Sequence, residues 1–337
     1  MNTILVTGGI GFIGSHTVSL LLKNNNSNII VLDNLHNCNL KVLHNIRLIT
    51  HREPIFFKGD IRDRTTLEEI FRAHPVDSVI HFAGLKSVFE SQADPLKYYD
   101  YNISGSIVLF QEMLKANVHR LVFSSSATVY GAPDTPQYTE DLPTNPINVY
   151  GQTKLMIEKI IHDISQSNPQ FRAACLRYFN PVGAHASGLI GEDPLGTPNN
   201  LMPYIGQVAL GKLPYLKIYG NDYLTPDGTG MRDYIHVEDL ASGHLAALGH
   251  IEQNPGVLTV NLGNEKPHSV LEVVRAFEKA SGLQIPYQFT ERRAGDLPIY
   301  YANAQRAKNV LGWSSRHDLQ RMCEDTWRFY KNCGSAS

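Results

Sequence analysis

The sequence has little of what stabilises secreted or membrane-embedded proteins. Its 337 residues include only four cysteines, which are widely separated and form no CxxC pair: Cys38, Cys175, Cys323 and Cys333. Because disulfide frameworks need more cysteines at closer spacing, we expect reduced thiols. No apolar run approaches the ~18 residues that a membrane-spanning helix requires, and no charged segment precedes a long apolar one at the start of the chain. These absences predict a cytoplasmic protein.

The chain also lacks an excess of charge of either sign. With 30 basic and 32 acidic residues, its formal net charge is -2. Polyanions such as DNA are bound by clustered basic residues, so this composition argues against a nucleic-acid partner. The zinc motifs HExxH and HxxEH are absent although there are 14 histidines. We interpret His36, Cys38 and His81 as loop or strand-end residues, and we predict no metal site.

Apolar, β-branched segments recur along the first half of the chain. They are TILVTG (3–8), NIIVLD (28–33), PIFFKG (54–59), SVIHFAG (78–84), RLVFSSS (120–126) and AACLRYFN (173–180). Segments with helical spacing separate most of them, and such an alternation predicts a parallel sheet covered by helices on both faces. Beyond about residue 185 the chain becomes rich in glycine and proline. We therefore predict an α/β protein with a Rossmann-type doubly wound parallel sheet.

The predicted domain boundary lies near residue 180. Residues 1–180 form the dinucleotide-binding domain, to which later segments can return. Residues 181–337 form a smaller mixed domain whose large loops are suited to substrate-specific contacts.

A glycine-rich turn follows the first predicted strand. In ILVTGGIGFIGSH, the glycines Gly8, Gly11 and Gly14 allow a tight turn, close approach of the backbone to a pyrophosphate and close helix packing. Asp33 ends the second predicted strand, where a carboxylate accepts hydrogen bonds from a ribose 2'-hydroxyl and repels a 2'-phosphate. The cofactor predicted from this pattern is NAD rather than NADP.

Two other strand ends carry polar residues on the same edge of the sheet. Asp60 follows the third predicted strand, where it can meet an adenine, cap the helix that begins nearby, or do both. Lys86 follows the fourth strand, where it can meet a cofactor hydroxyl or remain solvated. The residue chemistry leaves both alternatives open.

The stretch VYGQTK places Tyr150 and Lys154 four residues apart. If this stretch opens a helix, both side chains lie on one face, and the ammonium favours the phenolate form of the tyrosine. The pair then serves as a general base. Ser126 ends the fifth strand, where it can bridge the phenol to a substrate hydroxyl. The alternative interpretation is an amphipathic helix start with a packed tyrosine and a solvated lysine.

These motifs together resemble a known family. The spacing GxxGxxG, the later YxxxK and the serine-rich strand end are similar to the extended short-chain dehydrogenase/reductases. Ten segments in matching order resemble the UDP-glucose 4-epimerases of that group: TGGIGFIGSH, LDNL, GDIRD, VIHFAGLK, FSSSATVYG, YGQTK, LRYFNPVGAH, PNNLMPYI, DGTGMRDYIHVEDLA and RRAGDLP. The likeness extends from residue 3 to about residue 330. Phe89 and Tyr101 depart from it, since the family commonly has glycine and asparagine there.

The resemblance implies a set of site residues. The implied cofactor contacts are Gly8, Gly11, Phe12, Ile13, Gly14, Asp33, Asn34, Asp60, Ile61, Phe82, Ala83, Gly84, Lys86, Ser124, Tyr150, Lys154 and Phe179. The implied substrate contacts are Ser126, Asn180, Asn200, Leu201, Tyr219, Arg232, Arg293, Asp296 and Tyr300. The implied reaction oxidises C4 of a UDP-hexose with bound NAD and then reduces it from the other face. Tyr150, Lys154 and Ser126 are the implied catalytic residues.

The resemblance also implies a homodimer, formed by helices near residues 98–117 and 151–165. These helices are apolar on more than one face, which burial within the monomer explains equally well. Two other functions remain open at this stage. A sugar-nucleotide dehydratase of the same fold needs additional carboxylates, which such enzymes commonly place where this chain has Ser126, Ala127 and Thr128. A scaffold protein that had lost catalysis would be expected to have lost Tyr150, Lys154 or Ser126, and all three are present.

Overall fold

The computed structural model describes residues 2–24, 27–194, 196, 198–293 and 295–334. The strands are β1 (Thr3–Thr7), β2 (Asn28–Asp33), β3 (Ile55–Lys58), β4 (Ser78–His81), β5 (Arg120–Ser124), β6 (Gln137–Tyr138), β7 (Arg172–Tyr178), β8 (Asn180–Val182), β9 (Leu216–Tyr219), β10 (Met231–His236), β11 (Gly256–Leu262), β12 (Pro267–Ser269), β13 (Tyr287–Thr290) and β14 (Ile299–Ala302).

The α-helices are α1 (Phe12–Asn24), α2 (Lys41–Thr50), α3 (Arg64–Ala73), α4 (Val88–Ala93), α5 (Pro95–Tyr98), α6 (Gly105–Lys115), α7 (Val149–Ser167), α8 (Leu201–Ala209), α9 (Val237–Gln253), α10 (Val270–Ser281), α11 (Gln305–Leu311) and α12 (Leu319–Gly334). A π-helix occupies Tyr99–Ser104, and a 3₁₀ helix occupies Ala127–Tyr130.

The largest sheet is parallel throughout. Its seven strands run in the order β11-β7-β5-β4-β1-β2-β3. The six apolar segments of the first half each contain one of these strands, which confirms the predicted fold class. The strand order reverses between β1 and β4, and ligands of such sheets bind at this point beyond the carboxyl ends of the strands.

Both faces of this sheet are buried, which explains why its strands are almost uniformly apolar. Side chains alternate between the faces: Ile4 and Val6 belong to one core cluster, and Leu5 belongs to the other. Helices α1 and α9 cover the first face, whereas α3, α6 and α7 cover the second. The sheet is thus a rigid layer whose carboxyl edge remains available for a site.

The second half builds a smaller unit from mixed strands and helices. Strands β12, β10, β14 and β6 form one sheet, with β8 paired to β10, and β9 pairs with β13. Helices α8, α10 and α12 pack around a separate apolar core. The chain crosses between the units more than once, because β11 joins the large sheet and β6 joins the small one. The described helices include none with the length and apolar character that crossing a bilayer requires.

Candidate active site

The turn between β1 and α1 has the backbone geometry of a pyrophosphate cradle. Gly8 adopts φ +70°, and a Cβ placed there would lie 2.7 Å from the backbone nitrogen of Ala83. At Gly14, a Cβ would lie 2.2 Å from the carbonyl oxygen of Gly8. Glycine is therefore required at both positions if the turn is to lie this close to β4 and α1. The turn delivers the N-terminus of α1, with its unpaired N–H groups, to the carboxyl edge of the sheet.

Two carboxylates follow the strands next to this turn. Asp33 at the end of β2 accepts hydrogen bonds from the backbone N–H of Leu35 at 2.9 Å and from the Cys38 thiol at 3.2 Å. Asp60 accepts from Arg62 Nε at 3.0 Å and from Asn34 Nδ2 at 2.9 Å. Partial burial opposes ionisation of Asp60, but the hydrogen bonds from Arg62 outweigh it and lower the pKa. Asp60 is therefore an anion in the folded protein.

Asp60 does not cap the helix that follows it. The helix α3 begins at Arg64, and its N-terminal cap is Asp63, whose side chain accepts a hydrogen bond from the backbone N–H of Thr65. The alternative role considered for Asp60 is therefore wrong, and its carboxylate belongs to the edge of the sheet.

The residues after β4 are fixed by a distant carboxylate. Lys86 Nζ lies 2.7 Å from Glu192 Oε1, and Asn200 Nδ2 donates to the same oxygen at 2.8 Å. Lys86 is therefore not merely solvated. Its ion pair with Glu192 connects the large sheet to a loop of the second half. Glu192 was not identified from the sequence, where it lies in a glycine-rich loop without a recognisable motif.

Tyr150 and Lys154 lie on the first two turns of α7, both at least nine-tenths buried. Asn148 caps this helix by accepting a hydrogen bond from the backbone N–H of Gly151 at 2.8 Å. Lys154 Nζ donates to the carbonyl oxygen of Ser124 at 2.7 Å and lies 5.8 Å from the centre of the Tyr150 ring. The predicted face shared by the phenol and the ammonium is therefore present.

Burial changes the acid–base properties of this pair. It raises the pKa of Tyr150 to about 12, while a hydrogen bond with Ser126 opposes the rise. It lowers the pKa of Lys154 to about 8, although the charge of Glu158 acts in the opposite direction. The direction at Tyr150 is opposite to the lowering expected from Lys154, because loss of hydration dominates where the side chain is almost fully enclosed.

A buried ion pair positions α7 against the sheet. Arg177 on β7 donates to Glu158 through Nε at 3.0 Å and through Nη2 at 2.6 Å. Ser125 also donates to Glu158, at 2.5 Å. Such a two-point contact fixes orientation as well as distance. It connects the helix that carries Tyr150 and Lys154 to the strand end that carries Ser126.

The second half supplies the opposite wall of the site. The guanidinium carbon of Arg232 lies 4.6 Å from the centre of the Tyr300 ring, and Arg232 Nη2 lies 3.6 Å from Asp296 Oδ1. The Tyr300 hydroxyl donates to Asn180 Oδ1 at 3.5 Å. Tyr300 is also stacked on Tyr138, with ring centres 5.7 Å apart. These contacts join the polar side chains of this wall into one group, which consists of Asn180, Arg232, Asp296 and Tyr300.

Both walls enclose one cavity of about 1220 Å³. Of the residues expected to bind cofactor or substrate, the structure brings most to its lining: Gly8, Gly11, Phe12, Ile13, Gly14, Asp33, Asn34, Asp60, Ile61, Phe82, Ala83, Gly84, Lys86, Ser124, Ser126, Tyr150, Lys154, Phe179, Asn180, Asn200, Arg232, Asp296 and Tyr300. Its volume suits a dinucleotide and a second large ligand together.

Comparison with known proteins identifies the family. The model of the "NAD dependent epimerase/dehydratase family" matches residues 4–263. The chain belongs to this family. A relative from Neisseria meningitidis serogroup C, called UDP-glucose 4-epimerase, is 56% identical over 98% of each chain.

Solved structures of the family agree with this assignment. A UDP-glucose 4-epimerase from Stenotrophomonas maltophila, with bound NAD and formylated UDP-arabinopyranose, has a TM-score of 0.97 and 47% identity, and each chain is covered completely. Another from Bifidobacterium longum, in complex with NAD+ and UDP, has a TM-score of 0.95 and 46% identity over 98% of each chain.

Three residues expected from the family likeness do not line the cavity. Leu201 begins α8 and packs against the core of the second half. Tyr219 ends β9, and the guanidinium carbon of Arg293 lies 3.9 Å from the centre of its ring. The Arg293 pair is nevertheless near the site, because the backbone N–H of Asp296 donates to the carbonyl oxygen of Arg293 at 3.2 Å.

Sequence reasoning also missed parts of the lining. The loop after β2 contributes His36, Asn37 and Cys38, α4 contributes Phe89, and α12 contributes Asn332. Nothing in the local pattern of α12 marks it as part of this family's cavity, because it reaches the site only through the packing of the second unit. Phe89 had been noted as a departure from the family pattern, and its side chain is 79% exposed.

Among the described residues, one group outside the cavity has the composition of a metal site: His236, Glu238 and Asp325. His236 Nδ1 accepts a hydrogen bond from the backbone N–H of Glu238 at 3.1 Å, so neutral His236 carries its proton on Nε2. That proton faces Asp325, whose carboxylate also accepts from Arg321 at 2.6 Å. Asp325 is paired with both Arg321 and Arg328, and two guanidinium cations on this carboxylate disfavour a metal ion at this place.

The burial of Lys154 has a measurable energetic consequence. Because one unit of pKa shift corresponds to about 1.4 kcal/mol, replacing this lysine by methionine removes a desolvation cost. We expect Lys154→Met to raise the free energy of unfolding of cofactor-stripped protein by about 1–3 kcal/mol at pH 7. Urea denaturation measures this difference.

The pH dependence of this effect has a defined sign. The folded-state pKa of Lys154 is about 8, against 10.5 for the ordinary group. Between these values the unfolded chain binds more protons, so the wild-type protein gains stability as pH rises. The advantage of Lys154→Met should therefore shrink from pH 8 toward pH 10. A variant that is less stable than wild type at pH 7 would contradict the account.

Proposed function

We propose that the chain interconverts UDP-galactose and UDP-glucose with tightly bound NAD, through a transient 4-keto sugar. The observation that carries this proposal is the position of Tyr150, Lys154 and Ser126. They lie in the cavity that begins at the dinucleotide turn and ends at Asn180, Arg232 and Tyr300. Tyr150 shares this cavity with the glycine-rich turn and with a polar wall suited to a sugar nucleotide, which supports an acid–base role. The relatives described above support the same activity.

The residues of the cradle fit NAD. Gly8 and Gly14 leave room for a pyrophosphate where a side chain would fill it, and the N-terminus of α1 favours its negative charge. Asp33 has two carboxylate oxygens at the end of β2 and suits the hydroxyls of the adenosine ribose, which favours NAD over NADP. Lys154 suits the nicotinamide ribose. When bound, the oxidised nicotinamide supplies a hydride acceptor and a positive charge.

Tyr150 moves the proton in the proposed reaction. Its phenolate accepts the proton of the sugar 4-hydroxyl as hydride leaves C4, and its phenol returns a proton when hydride comes back. Burial alone disfavours that phenolate, so positive charge in the cavity is needed to form it, from Lys154 and from the oxidised cofactor. Ser126 hydrogen-bonds to Tyr150 and can relay the proton to the substrate oxygen.

Inversion at C4 requires that the sugar present both faces to the same hydride carrier. The sugar must therefore be held loosely while the nucleotide is held firmly. Arg232 suits the diphosphate because a guanidinium donates parallel hydrogen bonds to phosphate oxygens. We assign Asn180, Asn200, Asp296 and the Tyr219–Arg293 pair to the remaining part of the nucleotide, with Leu201 behind them.

Dehydration of the sugar is the alternative that the site argues against. Ser126, Ala127 and Thr128 line the cavity beside Tyr150, and none of them is a carboxylic acid or a strong base. Elimination across C5 and C6 would need both an acid and a base near those carbons. The lining beside Tyr150 suits proton transfer at C4 alone.

The proposed activity is tested by incubating the protein with UDP-galactose and following the sugar signals by NMR. We expect UDP-glucose to accumulate until a fixed ratio of the two sugars is reached. A 4-keto-6-deoxy sugar would indicate a dehydratase instead, and an unchanged spectrum would contradict the proposed activity and favour a non-catalytic role.

We also propose that the enzyme is a cytoplasmic homodimer. Ile107 on α6 is exposed, and Val108 on α6 and Met156 and Ile160 on α7 are partly buried. Apolar side chains left partly open to solvent on these two helices suit a four-helix contact between two copies. Light scattering at micromolar concentration should give twice the monomer mass, and a monomer would contradict the dimer. Cell fractionation tests the location.

Tyr150→Phe should separate chemistry from binding. Loss of the hydroxyl removes proton transfer, so we expect kcat to fall at least about 10³-fold, in the range of other acid–base deletions. UDP binding, measured by calorimetry, should change less than about threefold, because the nucleotide is held by other residues. Tyr287→Phe on β13 is the matched control and should leave both values unchanged. Equal loss of binding and turnover in Tyr150→Phe would mean that Tyr150 is structural.

Tyr300 should limit the size of the sugar substituent at C2. Its ring is held by Tyr138, Phe179 and Arg232, so it cannot easily yield to added atoms. We expect poor turnover of UDP-N-acetylgalactosamine, and an increase of about tenfold or more in its kcat/KM in Tyr300→Cys or Tyr300→Ser. Similar kcat/KM values for UDP-galactose and UDP-N-acetylgalactosamine in the unmodified protein would contradict this assignment.

A further inference from the structure

Tyr101 occupies an unusual position in the helical segment that follows β4. It lies in the π-helix Tyr99–Ser104, between α5 and α6. Single π-helical turns are rare and are often found at functional sites. The next residue, Asn102, is fixed inside the protein by bonds to the backbone of Leu85 at 2.8 and 3.1 Å and to Thr153 at 3.0 Å. With Asn102 directed inward, Tyr101 lies on the wall of the cavity.

A cation holds the Tyr101 ring in place. The guanidinium carbon of Arg62 lies 3.5 Å from the ring centre, which is the distance of a close cation–π stack. Arg62 is itself fixed by two bonds to Asp60, each 3.0 Å long, and by an ion pair with Asp100. The centre of the His36 ring lies 6.1 Å from the centre of the Tyr101 ring. Tyr101 is thus part of a cluster, here called the edge stack, that consists of His36, Asp60, Arg62, Asp100 and Tyr101.

The edge stack lies at one end of the cofactor cradle. Asp60 connects it to Asn34, next to Asp33 at the end of β2. A dinucleotide whose pyrophosphate meets α1 extends in two directions, toward β2 and β3 or toward β4 and β5. Because Tyr150 and Lys154 meet the nicotinamide half beside β5, the adenosine half must extend over β2 and β3. Tyr101 therefore faces the adenosine half.

We propose that Tyr101, oriented by its stack on Arg62, retains the cofactor by closing an aromatic wall against the adenosine. This rests on the proposed function, since it requires that the chain bind NAD. Asparagine, the common residue here in the likeness noted above, can neither stack on the guanidinium nor present an aromatic surface. The chain thus uses Tyr101 to slow the dissociation of a cofactor that the reaction regenerates in each cycle.

Exchange of bound cofactor tests this role. The proteins as purified are incubated with excess NAD deuterated on the nicotinamide ring, denatured at intervals, and analysed by mass spectrometry for light and heavy NAD. Loss of one stacked aromatic contact should accelerate exchange roughly three- to tenfold in Tyr101→Asn. Tyr101→Phe keeps the ring and should exchange at the wild-type rate. Arg62→Lys keeps the charge but not the planar stack, so its exchange should also accelerate.

Tyr287→Asn is the matched control, because Tyr287 is exposed on β13 and does not line the cavity. It should exchange at the wild-type rate. The proposal is overturned if Tyr101→Asn and Arg62→Lys exchange at that rate, or if Tyr101→Phe exchanges as fast as Tyr101→Asn. Arg62→Lys carries the test if Tyr101→Asn does not fold. Wild-type protein that contains no NAD and binds none would overturn the proposed function together with this inference.

Discussion

The ammonium group of Lys154 is held away from water by α7 and the end of β5, with a hydrogen bond to the carbonyl oxygen of Ser124. Removing a charge from water is costly, and the lowered pKa of Lys154 expresses that cost. The same enclosure raises the pKa of Tyr150. The fold therefore disfavours the charged form of each group, the ammonium of Lys154 and the phenolate of Tyr150. The buried contact between Glu158 and Arg177 secures the helix that imposes this arrangement.

Such unfavourable burial has a catalytic use. A phenol with a high pKa stays protonated until positive charge enters the cavity, so in the proposed reaction the basicity of Tyr150 would depend on the state of the cofactor beside it. In an oxidation followed by a reduction, the oxidised cofactor is present when the base is needed. The reduced cofactor is present when the phenol must donate a proton. In the proposed reaction, this coupling would let one tyrosine act in both half-reactions without a second acid or base.

The sequence was sufficient for the fold and for residues that lie close to strand ends. Continuous apolar strands separated by helices determine a parallel sheet, and the glycine spacing marks the turn, although the close contact that requires glycine at position 8 is with the distant Ala83. Contacts between segments far apart in the chain could not be predicted from such local patterns. Glu192 meets Lys86 across 106 positions of the chain, and its loop shows no periodic pattern.

The tertiary structure excluded one alternative considered for Asp60 and reversed one expectation, the lowered pKa of Tyr150. The cap of α3 is Asp63 rather than Asp60, which differs by less than one helical turn and depends on where the helix begins. The pKa of Tyr150 depends on how completely the side chain is enclosed, which spacing along a helix does not reveal. For Tyr150 the local pattern identified the right residue and the tertiary environment determined its pKa, whereas for α3 the pattern did not single out Asp63 as the cap.

The central claim is that hydride leaves C4 of the sugar and returns to it within one enzyme-bound cycle. UDP-galactose deuterated at C4 tests this most directly, with the product analysed by NMR and mass spectrometry. The account predicts that UDP-glucose keeps the deuterium at C4, with none transferred to water or to added free NAD. UDP-glucose that carries hydrogen at C4, or deuterium recovered in the solvent, would contradict it.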